Sequence, residues 1–132
     1  MNDVDGNRYK VIMIGNQLWM AENLRTTKYN DGTPIPLVTD NTAWSNLTSP
    51  GYCWYDNNST NKDTYGALYN WYTVNTGKLC PSGWHVPSDD EWTIMQNYLI
   101  ANGFNYDGTT YYNKYAKALA STTGWTSSAV TG

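Results

Sequence analysis

Leu79-Cys80-Pro81-Ser82-Gly83-Trp84-His85-Val86-Pro87-Ser88-Asp89-Asp90-Glu91-Trp92 constrains this chain more than any other stretch. Ser88 followed three residues later by Glu91 is a capping box, in which hydroxyl and carboxylate satisfy backbone N–H groups at a helix start. Asp89, Asp90 and Glu91 place negative charge at the positive end of the helix dipole. Pro87 bars the helix from extending backwards, and the prolines hold the approach extended. The stretch predicts a rigid aromatic corner leading into a helix from Ser88 to about Ala101. Trp92, Met95 and Leu99 are expected to face inward, and Asn102-Gly103 to stop the helix.

Elsewhere the pattern is that of short elements. Arg8 to Ile14 alternates, and Gly15-Asn16 is a two-residue hairpin signal after which Gln17 to Met20 pairs back. Tyr65, Leu68, Tyr69 and Tyr72 fall at i, i+3, i+4 and i+7, which predicts a short helix from Tyr65 to Val74. Residues 25–63 are dense in turn signals, with Trp44, Tyr52, Trp54 and Tyr55 expected to pin them down, and long loops of this kind tend to carry function. Phe104 is expected to turn inward after the helix stop. Lys114 to Ser121 fits a helical turn or a strand equally well.

Four blocks resemble one known family. They are Asp5-Gly6-Asn7-x-Tyr9 through Ile14-Gly15-Asn16-Gln17-x-Trp19-Met20-Ala21-Glu22-Asn23-Leu24; Tyr29-Asn30-Asp31-Gly32-Thr33-x-Ile35-Pro36; Tyr65-Gly66-Ala67-Leu68-Tyr69-Asn70-Trp71; and the corner itself. Together they are similar to the Fibrobacter succinogenes major paralogous domain (FISUMP), bacterial surface and lipoprotein modules of unestablished function. The resemblance implies a single domain over residues 1–132 with a C-type-lectin-like fold shared with formylglycine-generating enzymes. The fold class expected is α+β: a small antiparallel sheet with two helices and long ordered loops. Family members continue past the region of Trp125 into a further strand segment, so the resemblance also implies a C-terminally incomplete sheet.

Composition narrows the function. Seven Trp and twelve Tyr stand against one Phe, a balance that suits half-buried walls and binding surfaces because each ring keeps a polar handle. The net charge is −3 and no Lys/Arg cluster occurs, which argues against a groove that tracks nucleic-acid phosphates. No apolar run approaches the roughly 20 residues of a membrane-spanning helix. The chain shows no signal sequence at Met1-Asn2-Asp3, whereas the resemblance implies export to an extracellular or outer-membrane surface.

That compartment bears on Cys53 and Cys80. In an exported protein they can form a disulfide closing a loop of roughly 28 residues, worth about 3.5 kcal/mol on the chain-entropy argument; the other reading is a pair of buried thiols. The single histidine, His85, reads as structural, and Glu91 as a cap rather than a catalyst. No nucleophile, base and orienter set is legible. Asp3-Val4-Asp5-Gly6-Asn7 departs from a calcium loop, with glycine at the fourth position and Ile14 at the twelfth. No cofactor is expected, calcium held with help from Asp31 or Asp40 being the one metal reading kept open.

The Tyr, Asn, Gly and Thr blend from Asn97 to Tyr112 suits adaptable recognition. Tyr106, Tyr111, Tyr112 and Trp125 are the candidate ligand-binding residues, and the expected ligand is a glycan or a protein. The functional expectation is a non-catalytic cell-surface recognition or adhesion module. The competing expectations are an enzyme of the formylglycine-generating type and a purely structural domain of a larger surface protein.

Overall fold

The first two strands form a hairpin where Gly15-Asn16 marks it. Strands β1 (Val11–Ile14) and β2 (Gln17–Met20) pair antiparallel, with Val11 opposite Met20 and Ile14 opposite Gln17. The computed structural model describes residues 1–123, and the chain divides into two compact units, Met1–Pro87 and Ser88–Gly132. Each is taken by itself.

In the first unit the expected single sheet is two separate two-stranded sheets. The second pairs β3 (Tyr52–Trp54) with β4 (Ala67–Tyr69). Strand alternation sends Tyr52 and Trp54 inward together. They join Tyr29, Ile35 and Leu79 in the buried cluster, with Leu24, Ala67, Tyr69 and Val74 packed at its margin. The rings of Tyr52 and Trp54 meet edge to face at 5.3 Å, a favoured aromatic geometry. The hairpin stands outside this cluster. Ile14 is buried, but Val11, Ile12, Met13 and Leu18 are exposed on both faces.

Residues 25–63 are ordered by backbone bonds as well as by their buried aromatics. Val38 N–H donates to the Tyr52 carbonyl and Tyr52 N–H to that of Pro36, both at 2.9 Å; Ile35 N–H reaches Thr27 and Tyr29 N–H reaches Thr33. A buried chain must satisfy its peptide groups, and these bonds do so without regular structure. Tyr52 and Trp54 are buried as expected, whereas Tyr55 is exposed. A short helix, α1 (Asn41–Ser45), is capped by Asp40, whose carboxylate accepts from Ala43 N–H.

The helix expected from Tyr65 to Val74 does not form as one element. The chain instead makes α2 (Lys62–Tyr65), strand β4 and α3 (Trp71–Val74). Gly66 is the cause. It takes φ 72° and ψ −162°, which breaks any helix and is open almost only to glycine. Its backbone lies against Asn23 and Leu24, and Ala67 N–H donates to the Leu24 carbonyl. Tertiary docking overrides the local period. Beyond it, Asn70 caps α3 by accepting from Thr73 N–H. The fully buried Thr73 hydroxyl both accepts from Gly51 N–H at 2.8 Å and donates to the Gly51 carbonyl.

The second unit begins with the predicted corner helix, α4 (Asp89–Ala101). Ser88 Oγ accepts from Glu91 N–H, and the Glu91 carboxylate accepts from Ser88 N–H at 2.8 Å, completing the box. Ser88→Ala is expected to lower stability by about 1 kcal/mol, read by urea denaturation. Met95 and Leu99 are buried, but Trp92 is 42% exposed, which corrects its expected inward placement. Helical side chains tilt toward the N-terminus, so a first-turn indole projects past the end of the buried stripe. The helix stops in a Schellman arrangement: Gly103, at φ 77°, donates to Ile100, and Phe104 N–H donates to Leu99. That turn carries Phe104 outward, 48% exposed, against the inward course expected. A short helical turn, α5 (Ala116–Leu119), resolves the ambiguity of residues 114–121.

Candidate functional site: a tyrosine loop held by a buried asparagine

Asn105 organises the loop that follows α4. It is 4% exposed. Its side-chain amide nitrogen is within hydrogen-bond reach of the carbonyls of Thr109 (2.8 Å), Tyr111 (3.1 Å) and Tyr112 (3.1 Å), which share its two hydrogens, and its amide oxygen accepts from Lys114 N–H (3.0 Å). Tyr106 N–H donates to the Lys114 carbonyl, closing the loop on itself. One buried side chain therefore ties both arms of the loop together, and such satisfied networks specify a single conformation.

The effect is to display aromatics. Tyr106, Tyr111 and Tyr112 are 53%, 60% and 73% exposed. Tyr112 takes φ 62°, a left-handed conformation costly for a bulky residue. Asn105 supplies the compensation through its bond to the Tyr112 carbonyl. Tyr111 and Tyr112 pack edge to face at 5.1 Å. The Lys114 ammonium lies 5.8 Å from the ring centres of both Tyr106 and Tyr112, within cation–π range. The loop thus presents three rings, two of them beside one cation and the third packed on Tyr112. Trp125 lies outside the described residues.

Lys114 is anchored by Asp107, Nζ to Oδ2 at 2.6 Å. The Lys114 bond, with further bonds from the Thr109 hydroxyl and N–H, holds the Asp107 carboxyl down at about 2, and the same pair raises Lys114. An unfolded aspartate titrates near 3.9. Since the folded value is the lower one, the pair's stabilisation is complete above about pH 4 and is lost as pH falls toward 2. A carboxyl-carbon NMR titration is expected to place Asp107 near the bottom of the aspartate range, and Lys114→Met to move it upward.

Sequence reading named the three tyrosines and counted Asn105 with them in the recognition stretch, whereas Asn105 is buried beneath the loop; it missed Lys114. One local signal was available. Asp107 accepts from Thr109 N–H and Oγ, and an aspartate before Gly108 with threonine two residues on is the signature of an Asx turn. The long-range role of Asn105 left no such mark.

The other sequence candidates lie in the first unit. Cys53 and Cys80 are free, half-buried thiols, so the disulfide is not formed in this structure. Cys53 sits between Tyr52 and Trp54 on β3, which turns it away from the cluster where Leu79, the neighbour of Cys80, is buried. Burial raises both thiols, which works against nucleophilic character. His85 is exposed at the rim of an open cleft.

The carboxylates weighed for calcium are engaged by the protein. Asp3 accepts from Asp5 N–H, Asn7 N–H, the Asn7 amide and Tyr9 OH. Asp5 accepts from Thr27 N–H and hydroxyl and pairs with Lys28 at 3.1 Å. Burial pushes the Asp5 carboxyl up, but these donors outweigh it and leave it lowered. Asp31 pairs with Lys78 and accepts from Thr33 N–H, and Asp40 is spent on its cap. Among the described residues no group of three or more His, Cys, Asp or Glu is placed to hold a metal.

Fold and site together define a small α+β protein with two short antiparallel sheets, several helices and a displayed aromatic loop. The chain belongs to the Fibrobacter succinogenes major domain family, whose model matches residues 12–132. No curated protein and no solved structure matches it. Among the described residues no helix is long and apolar enough to cross a membrane.

Proposed function

We propose that this protein is a non-catalytic recognition or adhesion module of a bacterial cell surface, contacting a glycan or another protein through the loop of residues 104–115. One observation carries the reading: a buried asparagine holds exposed tyrosines in a fixed and partly strained arrangement around a lysine. Leaving three large rings in water forgoes burial energy, and strain at a displayed residue is retained where the surroundings over-determine it. Tyrosine offers a rigid, amphipathic contact face at low entropic cost. A C-type-lectin-like architecture, anchoring as a lipoprotein and display at the outer-membrane or extracellular surface belong to the same proposal, and rest on the family resemblance.

The test is an array of glycans and surface proteins probed with the whole chain, with calcium and with chelator. Selective, calcium-independent retention is the expected result, since Asp107, the carboxylate of the loop, already has Lys114 and Thr109 as partners. Absence of any selective retention would count against the proposal, and retention abolished by chelation would overturn its calcium-independence.

A further inference from the structure

Trp71 is the first residue of α3 and is 68% exposed, although a tryptophan gains more from burial than any other side chain of the chain. Its backbone is not loose. Asn70 caps the helix and its amide also donates to the Ser49 carbonyl at 2.7 Å, while the buried Thr73 hydroxyl bonds both peptide groups of Gly51. The indole is therefore held out on a fixed mount.

It forms one wall of an open cleft of about 360 Å³ within the first unit, inside the range of small-ligand clefts. Buried Leu79 contributes to the lining, and Asn75 and His85 bring polar atoms to it. Pro87 also lines it, in a segment stiffened by prolines and by a turn in which Trp84 N–H donates to the Pro81 carbonyl. No Lys, Arg, Asp or Glu lines the cleft, so no permanently charged side chain favours an anionic or cationic ligand over a neutral one.

We propose that this cleft is a second ligand site, separate from the tyrosine loop, that takes a neutral pyranose unit of a carbohydrate chain. The C–H face of the ring lies on the Trp71 indole, and hydroxyl groups at its edge bond the Asn75 amide. A neutral ligand with one apolar face and a hydroxylated rim matches a cleft with one aromatic wall, an amide side chain and no permanently charged side chain. An open cleft admits a residue within a longer chain.

The test is a two-dimensional ¹H–¹⁵N NMR titration of the whole chain with neutral hexasaccharides of glucose, xylose and mannose, following the indole N–H signals. Trp71→Phe assigns the Trp71 signal by its disappearance. At least one hexasaccharide is expected to shift that signal saturably; Trp71→Ala should weaken binding at least tenfold and leave the melting temperature within about 1 °C. Tyr111→Ala/Tyr112→Ala should leave this binding unchanged, which separates the cleft from the loop. A Trp71 signal unmoved by all three sugars overturns the inference, as does equal affinity in Trp71→Ala.

Discussion

Replacing Gly66 by alanine is expected to cost about 3–5 kcal/mol. A Cβ there would sit 2.6 Å from the Asn23 Cβ and 2.7 Å from the Leu24 carbonyl oxygen. Neither neighbour can give way cheaply, because the Leu24 carbonyl accepts from Ala67 N–H and the Asn23 amide donates to the Tyr65 carbonyl. Backbone strain in this region contributes about 1–3 kcal/mol and the overpacking a similar amount. Gly77 is the internal control. It too has a positive φ, 69°, but an added Cβ would meet nothing within 4 Å. Gly77→Ala is therefore expected to lose only about 1 kcal/mol, and the excess at Gly66 reports the close approach together with its glycine-only backbone region. Urea denaturation of both variants checks this; equal losses would show that β4 does not dock on residues 23–24 as described.

The second large effect is in the core of the same unit. Trp54→Ala should lower stability by about 3–5 kcal/mol, the range for large aromatic truncations. Trp54 is buried in the cluster of Tyr29, Ile35, Tyr52 and Leu79 and stacks edge to face on Tyr52. Trp92→Ala, by contrast, removes an indole that is already 42% in water and should cost clearly less. Thermal denaturation of the two variants under one set of conditions distinguishes them. A larger loss at Trp92 than at Trp54 would contradict the placement of the core.

This contrast shows where sequence was a good guide and where it was not. Ser88 and Glu91 announced the helix because a capping box acts over four residues and its chemistry is local. Gly15-Asn16 announced the hairpin for the same reason. Tyr65 to Val74 misled, since its helical period is overridden by a glycine docked on residues more than forty positions earlier. Trp92 misled because helical spacing names a face without saying how far burial extends along it. The site divides in the same way. The tyrosines were legible from their polar neighbours, whereas Asn105 acts through bonds to Thr109, Tyr111, Tyr112 and Lys114 that only the folded loop brings together.

The central claim is that the tyrosines of this loop serve recognition rather than stability. Its most direct test is the double variant Tyr111→Ala/Tyr112→Ala, measured for melting temperature and for affinity toward the strongest array ligand. Both side chains are exposed, and exposed substitutions usually change stability by no more than about 0.5 kcal/mol. The account predicts a melting temperature shifted by a few degrees at most, with affinity lowered at least tenfold. Undiminished affinity in the folded variant, or a collapse in stability that accounts for the loss of binding, would contradict it.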